Sequence, residues 1–116
     1  MTTHEFDHIS VLEPRGDLWE SRESAAMERM LVQLAGSGRR VVVDLSATGH
    51  LTAHGLGVLA HAQSVALEHG GEVALCGASH AHRLLLERTG LAAAVRLYRG
   101  RNEALKALAS GDRAVA

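Results

Sequence analysis

The chain carries one cysteine, one proline and three aromatic residues in 116 positions. A lone Cys76 excludes an internal disulfide, and with it the stapled scaffold of many small secreted domains. Phe6, Trp19 and Tyr98 are too few to build the stacking surface that single-strand nucleic-acid binders use. A net charge of −1, with histidine neutral, leaves no strong field toward nucleic acid or anionic lipid. Uninterrupted apolar runs last only a few residues, far short of the ~20 needed to cross a bilayer. The start, MTTHEFDH, has neither a basic stretch nor an apolar one, so it does not read as a secretory signal. These absences point to the cytoplasm and exclude a membrane span.

What is present is an ordinary globular composition, 47% apolar and 22% charged, which separates the chain from disordered sequences. The length suits one domain with one core, expected over about residues 8–109 with a loose tail at 110–116. The chain then alternates in pattern. His8 to Glu13 reads as a strand, and Pro14 behind it predicts an edge or bulge position. Ser21 to Ala35 reads as a helix, because Met27, Met30, Leu31 and Leu34 form one stripe and Gly36 and Gly38 stop it. Val41 to Leu45 is a continuous apolar run, the mark of a strand buried on both faces.

Leu56 to His69 reads as a second helix. His54, Gly57, His61, Ser64 and Glu68 would share its polar face, with Leu56, Leu59, Ala62 and Ala66 turned toward a sheet. Glu72 to Gly77 is a further buried strand. Ser79 caps a third helix that runs to Thr89 and stops at Gly90, with Leu91 behind it. Ala93 to Tyr98 reads as a last strand, and Asn102 as the cap of a short helix through Leu108. Strands alternating with helices imply an α/β fold: a small mixed, largely parallel sheet with right-handed crossovers and helices packed against it. The expected core gathers Met30, Leu34, Val41, Val43, Leu45, Leu56, Leu59, Val73, Leu75 and Leu84.

Chemistry-bearing residues are sparse. No nucleophile stands at signature spacing from a base. Gly49, Gly55 and Gly57 do not spell a phosphate-binding loop, and no lysine follows them. An enzyme is therefore not expected. Eight histidines are many for this length. His50 and His54 are four apart, and His80 and His82 flank Ala81. Zinc needs about four ligands in closer pairs, so no metal site and no cofactor are expected. Cys76 reads as a buried core residue.

Four patches, in order, carry a family resemblance: Glu13-Pro14-Arg15-Gly16-Asp17-Leu18, Val41 to Ser46, Gly55-Leu56-Gly57-Val58-Leu59 and Leu85-Leu86-Glu87-Arg88-Thr89-Gly90-Leu91. Together they resemble the STAS domain, the fold of bacterial anti-sigma-factor antagonists, from about Val11 to Leu108. In that family an Asp-Leu-Ser strand end is followed by Asp-Ser-Ser-Gly-Leu-Gly, whose second serine is the usual phosphoacceptor. Here the turn reads Thr52-Ala53-His54-Gly55-Leu56-Gly57. Thr52 replaces the aspartate, Ala53 the first serine and His54 the phosphoacceptor. Alanine has no nucleophilic atom, and a serine/threonine kinase cannot use imidazole. The resemblance thus implies a partner-binding regulatory module without the usual serine phosphoswitch. Thr52, Ser46 and Thr48 are the remaining hydroxyls, and Thr52 is the best placed, although it also suits an N-cap.

The expected partner is an anti-sigma factor or a related kinase-like regulator, with no nucleic acid involved. The expected contact surface is the start and exposed face of the second helix: Thr52, Ala53, His54, Gly57, Val58 and His61. Two other readings stand beside it. One is an accessory STAS subunit of a transporter ATPase or stress-sensing complex. The other is a metal- or ligand-binding sensor that uses the histidines.

Overall fold

A computed structural model describes residues 2–6, 9–16 and 22–109, with backbone alone at 2–6 and 22–24. In chain order the elements are β1 (Thr2–Phe6), β2 (Ile9–Glu13), α1 (Arg22–Gly36), β3 (Arg40–Asp44) and α2 (Ala53–Glu68). They continue with β4 (Glu72–Cys76), α3 (His80–Arg88), α4 (Leu91–Ala94), β5 (Arg96–Tyr98) and α5 (Arg101–Ala109). One sheet has the order β1-β2-β3-β4-β5. β1 pairs antiparallel with β2, and β2 through β5 pair in parallel. The architecture is the mixed, largely parallel α/β sheet that the alternation implied.

The strand run Val41-Val42-Val43 explains the layering. Successive side chains point to opposite faces. Val41 and Val43 enter the larger core, with Leu12, Val73 and Leu75, under α1, α2 and the α3–α4 segment. Val42 enters a smaller one on the other face, with Ile9, Val11, Ala74 and Cys76 beneath Ala104 and Leu108 of α5. All three valines are fully buried, so the uninterrupted apolar run is what a two-faced strand needs.

Several expectations are corrected in detail. Pro14 does not mark an edge: it follows the last residue of β2, so its missing N–H costs no ladder bond, and β1 covers the open side. β1 itself lacks a strong apolar alternation in TTHEF, which hides it in the sequence. The expected strand from Ala93 begins at Arg96. Leu91–Ala94 instead forms one helical turn after Gly90, whose φ of 80° puts it in the left-handed region that stops α3. Three alanines prefer helix where geometry allows. Asn102 lies inside α5, one residue past its start, and does not cap it. Ser79 does cap α3.

α2 starts at Ala53, three residues before the expected Leu56. Leu84 is 38% exposed and leaves the core list. α3 buries His82 and Leu86, four apart, and Leu84 lies about 200° around the helix from Leu86. Met30 and Leu34 pack at the margin of the core, whereas Met27 and Leu31 are fully inside. His8 and the tail 110–116 lie outside the described residues.

Leu59 is completely buried between α2 and the sheet, so Leu59→Ala should cost about 2–5 kcal/mol. Leu84→Ala should stay within about 0.5 kcal/mol of wild type. Denaturant midpoints of the two variants, with m unchanged, check both expectations.

Candidate functional site

The connection from β3 to α2 is built around one carboxylate. Asp44, the last residue of β3, is 5% exposed. Its Oδ1 accepts from the Ser46 amide at 3.0 Å and from the Ser46 hydroxyl. Its Oδ2 accepts from Nε and Nη2 of Arg101 at 3.2 and 3.1 Å. Nη2 of Arg101 also donates to Glu13 Oε2 at 2.5 Å, and Arg15 donates to the other Glu13 oxygen at 3.1 Å. Burial pushes the Asp44 carboxyl up, but the Ser46 hydroxyl, the Ser46 amide and Arg101 outweigh it and hold the pKa below the ordinary 3.8.

β4 closes against this corner. A Cβ on Gly77 would stand 2.3 Å from Ser46 Oγ and 2.6 Å from Asp44 Oδ1, and Gly77 has φ of +68°. Both space and backbone demand glycine there. Next to it, burial and the Asp44 charge raise the Cys76 thiol to about 12, so it stays protonated and is a poor nucleophile.

From Ser46 the chain is tied to its neighbours at Ala47, Thr48, Gly49 and Thr52. The Thr48 amide donates to Leu45 O at 3.0 Å, which closes a turn. The Gly16 amide donates to Ala47 O, and the Gly49 amide to Gly16 O, both at 2.9 Å. The Thr48 hydroxyl donates to Pro14 O at 2.9 Å. His82 reaches over from α3, with Nε2 2.5 Å from Gly49 O. Because the Ser79 amide donates to His82 Nδ1 at 3.1 Å, Nε2 is the nitrogen that carries the proton and donates to Gly49. Thr52 then caps α2: its hydroxyl oxygen accepts from the Gly55 amide at 3.0 Å.

These bonds decide the state of the three remaining hydroxyls. Thr48 is buried and donates inward. Ser46 is exposed, but its oxygen is bound to Asp44. Thr52 is half-buried and its oxygen serves the cap. Ala53 and His54, in the first turn of α2, are exposed. His54 Nε2 lies 3.1 Å from Glu28 Oε2 of α1, both at the surface, a pair of the kind that contributes little to stability.

Of the six expected surface residues, Ala53, His54, Gly57 and His61 are exposed and Thr52 is half-exposed. Val58 is a correction: it is 5% exposed and sits in the larger core. It shares an inward stripe with Ala62 and Val65 at steps of four and three, where Val65 meets Gly36 of α1. Two grooves flank the exposed face. One, of about 460 Å³, runs between the α2 start and the Thr89–Ala94 segment over Leu56 and Leu91. The other, of about 570 Å³, lies between α1 and His61 and includes Glu28, Arg29 and Gln33.

Some residues that shape the site give weaker signals in sequence. His82 stands three residues after Ser79, where a capping box places its second member, but glutamate or glutamine is the usual occupant. Gln63 bridges the Val73 amide and Ala94 O from inside α2, at 2.7 and 2.9 Å. Arg101 is 57 residues from Asp44, and nothing local announces it. The histidines do not converge: among the described residues no group of three or more His, Cys, Asp or Glu side chains is placed to hold a metal. No helix among them is long and apolar enough to cross a membrane.

Comparison with known proteins fits this geometry. The STAS domain family profile matches residues 1–104, and the chain belongs to that family. Among solved structures it is similar to an anti-sigma factor antagonist from Mycobacterium paratuberculosis, with 25% identity, 93% of this chain and 92% of that one covered, and a TM-score of 0.80. An anti-sigma-factor antagonist (STAS) domain protein from Planctomyces limnophilus has the same fold at 17% identity, 93% and 97% coverage and a TM-score of 0.76. So does a sulfate transporter family protein from Wolinella succinogenes, at 17% identity, 86% and 84% coverage and a TM-score of 0.72. No curated protein matches the chain in sequence.

Asp44 supports a pH expectation. With a folded pKa below the ordinary one, the unfolded chain takes up the proton first as pH falls. The Asp44 contribution is then complete above about pH 5 and is lost as pH drops through the lowered folded value. Asp44→Asn should be less stable than wild type at neutral pH and lose less further stability between about pH 5 and pH 3. Denaturant midpoints measured across that range check this; parallel curves would remove Asp44 from the acid limb.

Proposed function

We propose that this chain is a one-domain, cytoplasmic, non-enzymatic regulatory module that binds an anti-sigma factor or a related kinase-like regulator. The contact surface is the α2 start and its exposed face: Thr52, Ala53, His54, Gly57 and His61. Binding is not switched by serine phosphorylation. The observation that carries this reading is the α2 first turn, where Ala53 and His54 stand exposed in place of the family's two serines.

The neighbouring polar groups support it. Each hydroxyl within reach of the turn is already committed to the fold, Thr48 to Pro14, Ser46 to Asp44 and Thr52 to Gly55. The outward residues of the α2 start are alanine, glycine and imidazole, so a partner backbone can approach them closely, with the charged Glu28 and Arg29 of α1 at the border of the face. The likeness to antagonist structures supports the partner class.

A second reading, a STAS component of a transporter or stress-sensing complex, is supported by the likeness to the Wolinella succinogenes transporter-family protein. Binding assays with anti-sigma factors encoded in the same genome separate the two: nanomolar to micromolar binding favours the first, and its absence across all of them favours the second.

Two expectations follow from the turn. Incubation with a cognate kinase and ATP should leave the intact mass without an added phosphate. A phosphate mapped to Thr52 would restore the switch at a shifted position. His54→Glu should weaken partner binding by about tenfold or more, since the charge must be desolvated in the complex. The melting temperature should change little, because a carboxylate suits a helix N-terminus while repulsion from Glu28, which faces residue 54 from α1, acts against it at an exposed site. Equal affinities for wild type and variant would place the interface elsewhere.

A further inference from the structure

The α5 helix is fastened to β3 near both ends by polar contact, and its Arg101 also reaches Glu13 of β2. At one end Arg101 grips Asp44, the last residue of β3, with two nitrogens. At the other, Arg40, the first residue of β3, donates to the Leu108 carbonyl in the final turn of α5. The helix therefore lies antiparallel along β3 on the sheet face opposite α1 and α2. Its apolar hold is small: Ala104 and Leu108 are buried, and Leu105 is partly so.

The two fastenings differ in what lies behind them. Arg40 leads only into the start of β3. Arg101 leads to Asp44, which holds Ser46 at the start of the chain segment that runs on through the Leu45–Thr48 turn to the Thr52 cap. The carboxylate is thus a relay across the sheet, with α5 on its far side and the α2 start on its near side.

We propose that α5 is a control lever for the α2 start, with Arg101 the positioning residue that transmits its state through Asp44 to the Ser46–Leu56 turn. When the first turn of α5 lifts from the sheet, Arg101 withdraws, Asp44 loses half of its partners, and the turn loosens. When α5 is seated, the turn is held in the form described above. The coupling stands on these contacts alone; its consequence for partner affinity rests on the function proposed above.

Hydrogen–deuterium exchange on the free full-length chain tests the coupling without any partner. Three variants are compared with wild type: Arg101→Met, Arg101→Lys and Arg40→Met. Both methionine variants free one end of α5, but only one touches the relay. Arg101→Met should speed exchange at the bonded amides of Ser46, Thr48, Gly49 and Gly55 by about tenfold or more, as a local opening. Exchange in β4 and in the middle of α1 should stay at the wild-type rate. Arg101→Lys, which keeps the charge but not the fork, should fall between the two. Arg40→Met should speed exchange in the last turn of α5 and leave the Ser46–Leu56 amides unchanged.

A merely structural role for Arg101 would raise exchange throughout the chain as global stability drops, and that result overturns the proposal. Wild-type turn exchange in Arg101→Met overturns it as well, as does an equal effect of Arg40→Met on the turn. If Arg101→Met does not fold, Arg101→Lys against Arg40→Met carries the same contrast. If the coupling holds and no anti-sigma factor binds, the lever stands while the function proposed above falls.

Discussion

A carboxylate taken out of water must be paid for in hydrogen bonds, and Asp44 is the place where this fold settles that debt. Its oxygens draw donors from two places in the chain, its own turn through the amide and hydroxyl of Ser46 and α5 through Arg101; Glu13 at the end of β2 shares that Arg101, and Gly77 after β4 leaves the room. Removing one partner of such a group leaves an uncompensated charge, whereas a fully bonded one fixes geometry. The consequence is positional. β3 ends at a defined point, the chain turns there in one way, and the first turn of α2 is delivered to the surface at a fixed place and angle. Neighbouring loops then build on it, with Gly16 bonded to both sides of Thr48 and His82 laid over Gly49.

How far this was readable in the sequence depends on the range of each interaction. Val41-Val42-Val43 declares a strand covered on both faces, because every position is apolar whichever way it points. Ser79 and Gly90 declare the ends of α3 through local chemistry, a side-chain cap and a positive φ. Thr52 declares its cap in the same way. Long-range pairings carry no such mark. β1 is defined by its antiparallel register with β2, and five mostly polar residues do not announce that. Arg101 looks like any arginine at the start of a helix until the fold brings it to Asp44.

The errors also have a common physical origin. Residue type points Leu84 inward and proximity to a motif points Val58 outward, but helix phase decides both. Leu84 is apolar but lies on the far side of α3 from Leu86; Val58 neighbours the exposed Gly57 but lies about 100° round the helix from it. Within α2 the phase assignment built from repeated steps was sound, since His54, Gly57, His61, Ser64 and Glu68 are all exposed. Pro14 misled because its effect on a ladder depends on whether it sits within the strand or just past it.

The turn before α2 spends its polar atoms inward. The hydroxyls of Thr48, Ser46 and Thr52 and the amides of Ser46, Thr48 and Gly49 are bonded to Pro14 and Gly16 after β2, to Asp44 and Leu45 at the end of β3, or to the helix that Thr52 caps. What remains for the outside is Ala53, Gly57 and two imidazoles, backed by Leu56 and Leu91 at the base of a shallow groove. A surface of that kind offers few hydrogen bonds, so it gains affinity chiefly from close fit and from apolar area removed from water. Close fit needs a surface that does not rearrange on contact, since ordering a mobile segment would consume part of the binding free energy. The bonds made by Ser46, Thr48 and Thr52 also fix where the first turn of α2 emerges, so the face proposed for a partner is held by the fold itself. That order begins at the end of β3, where Ser46 and Arg101 hold Asp44 and so set the direction in which the chain leaves the sheet toward α2.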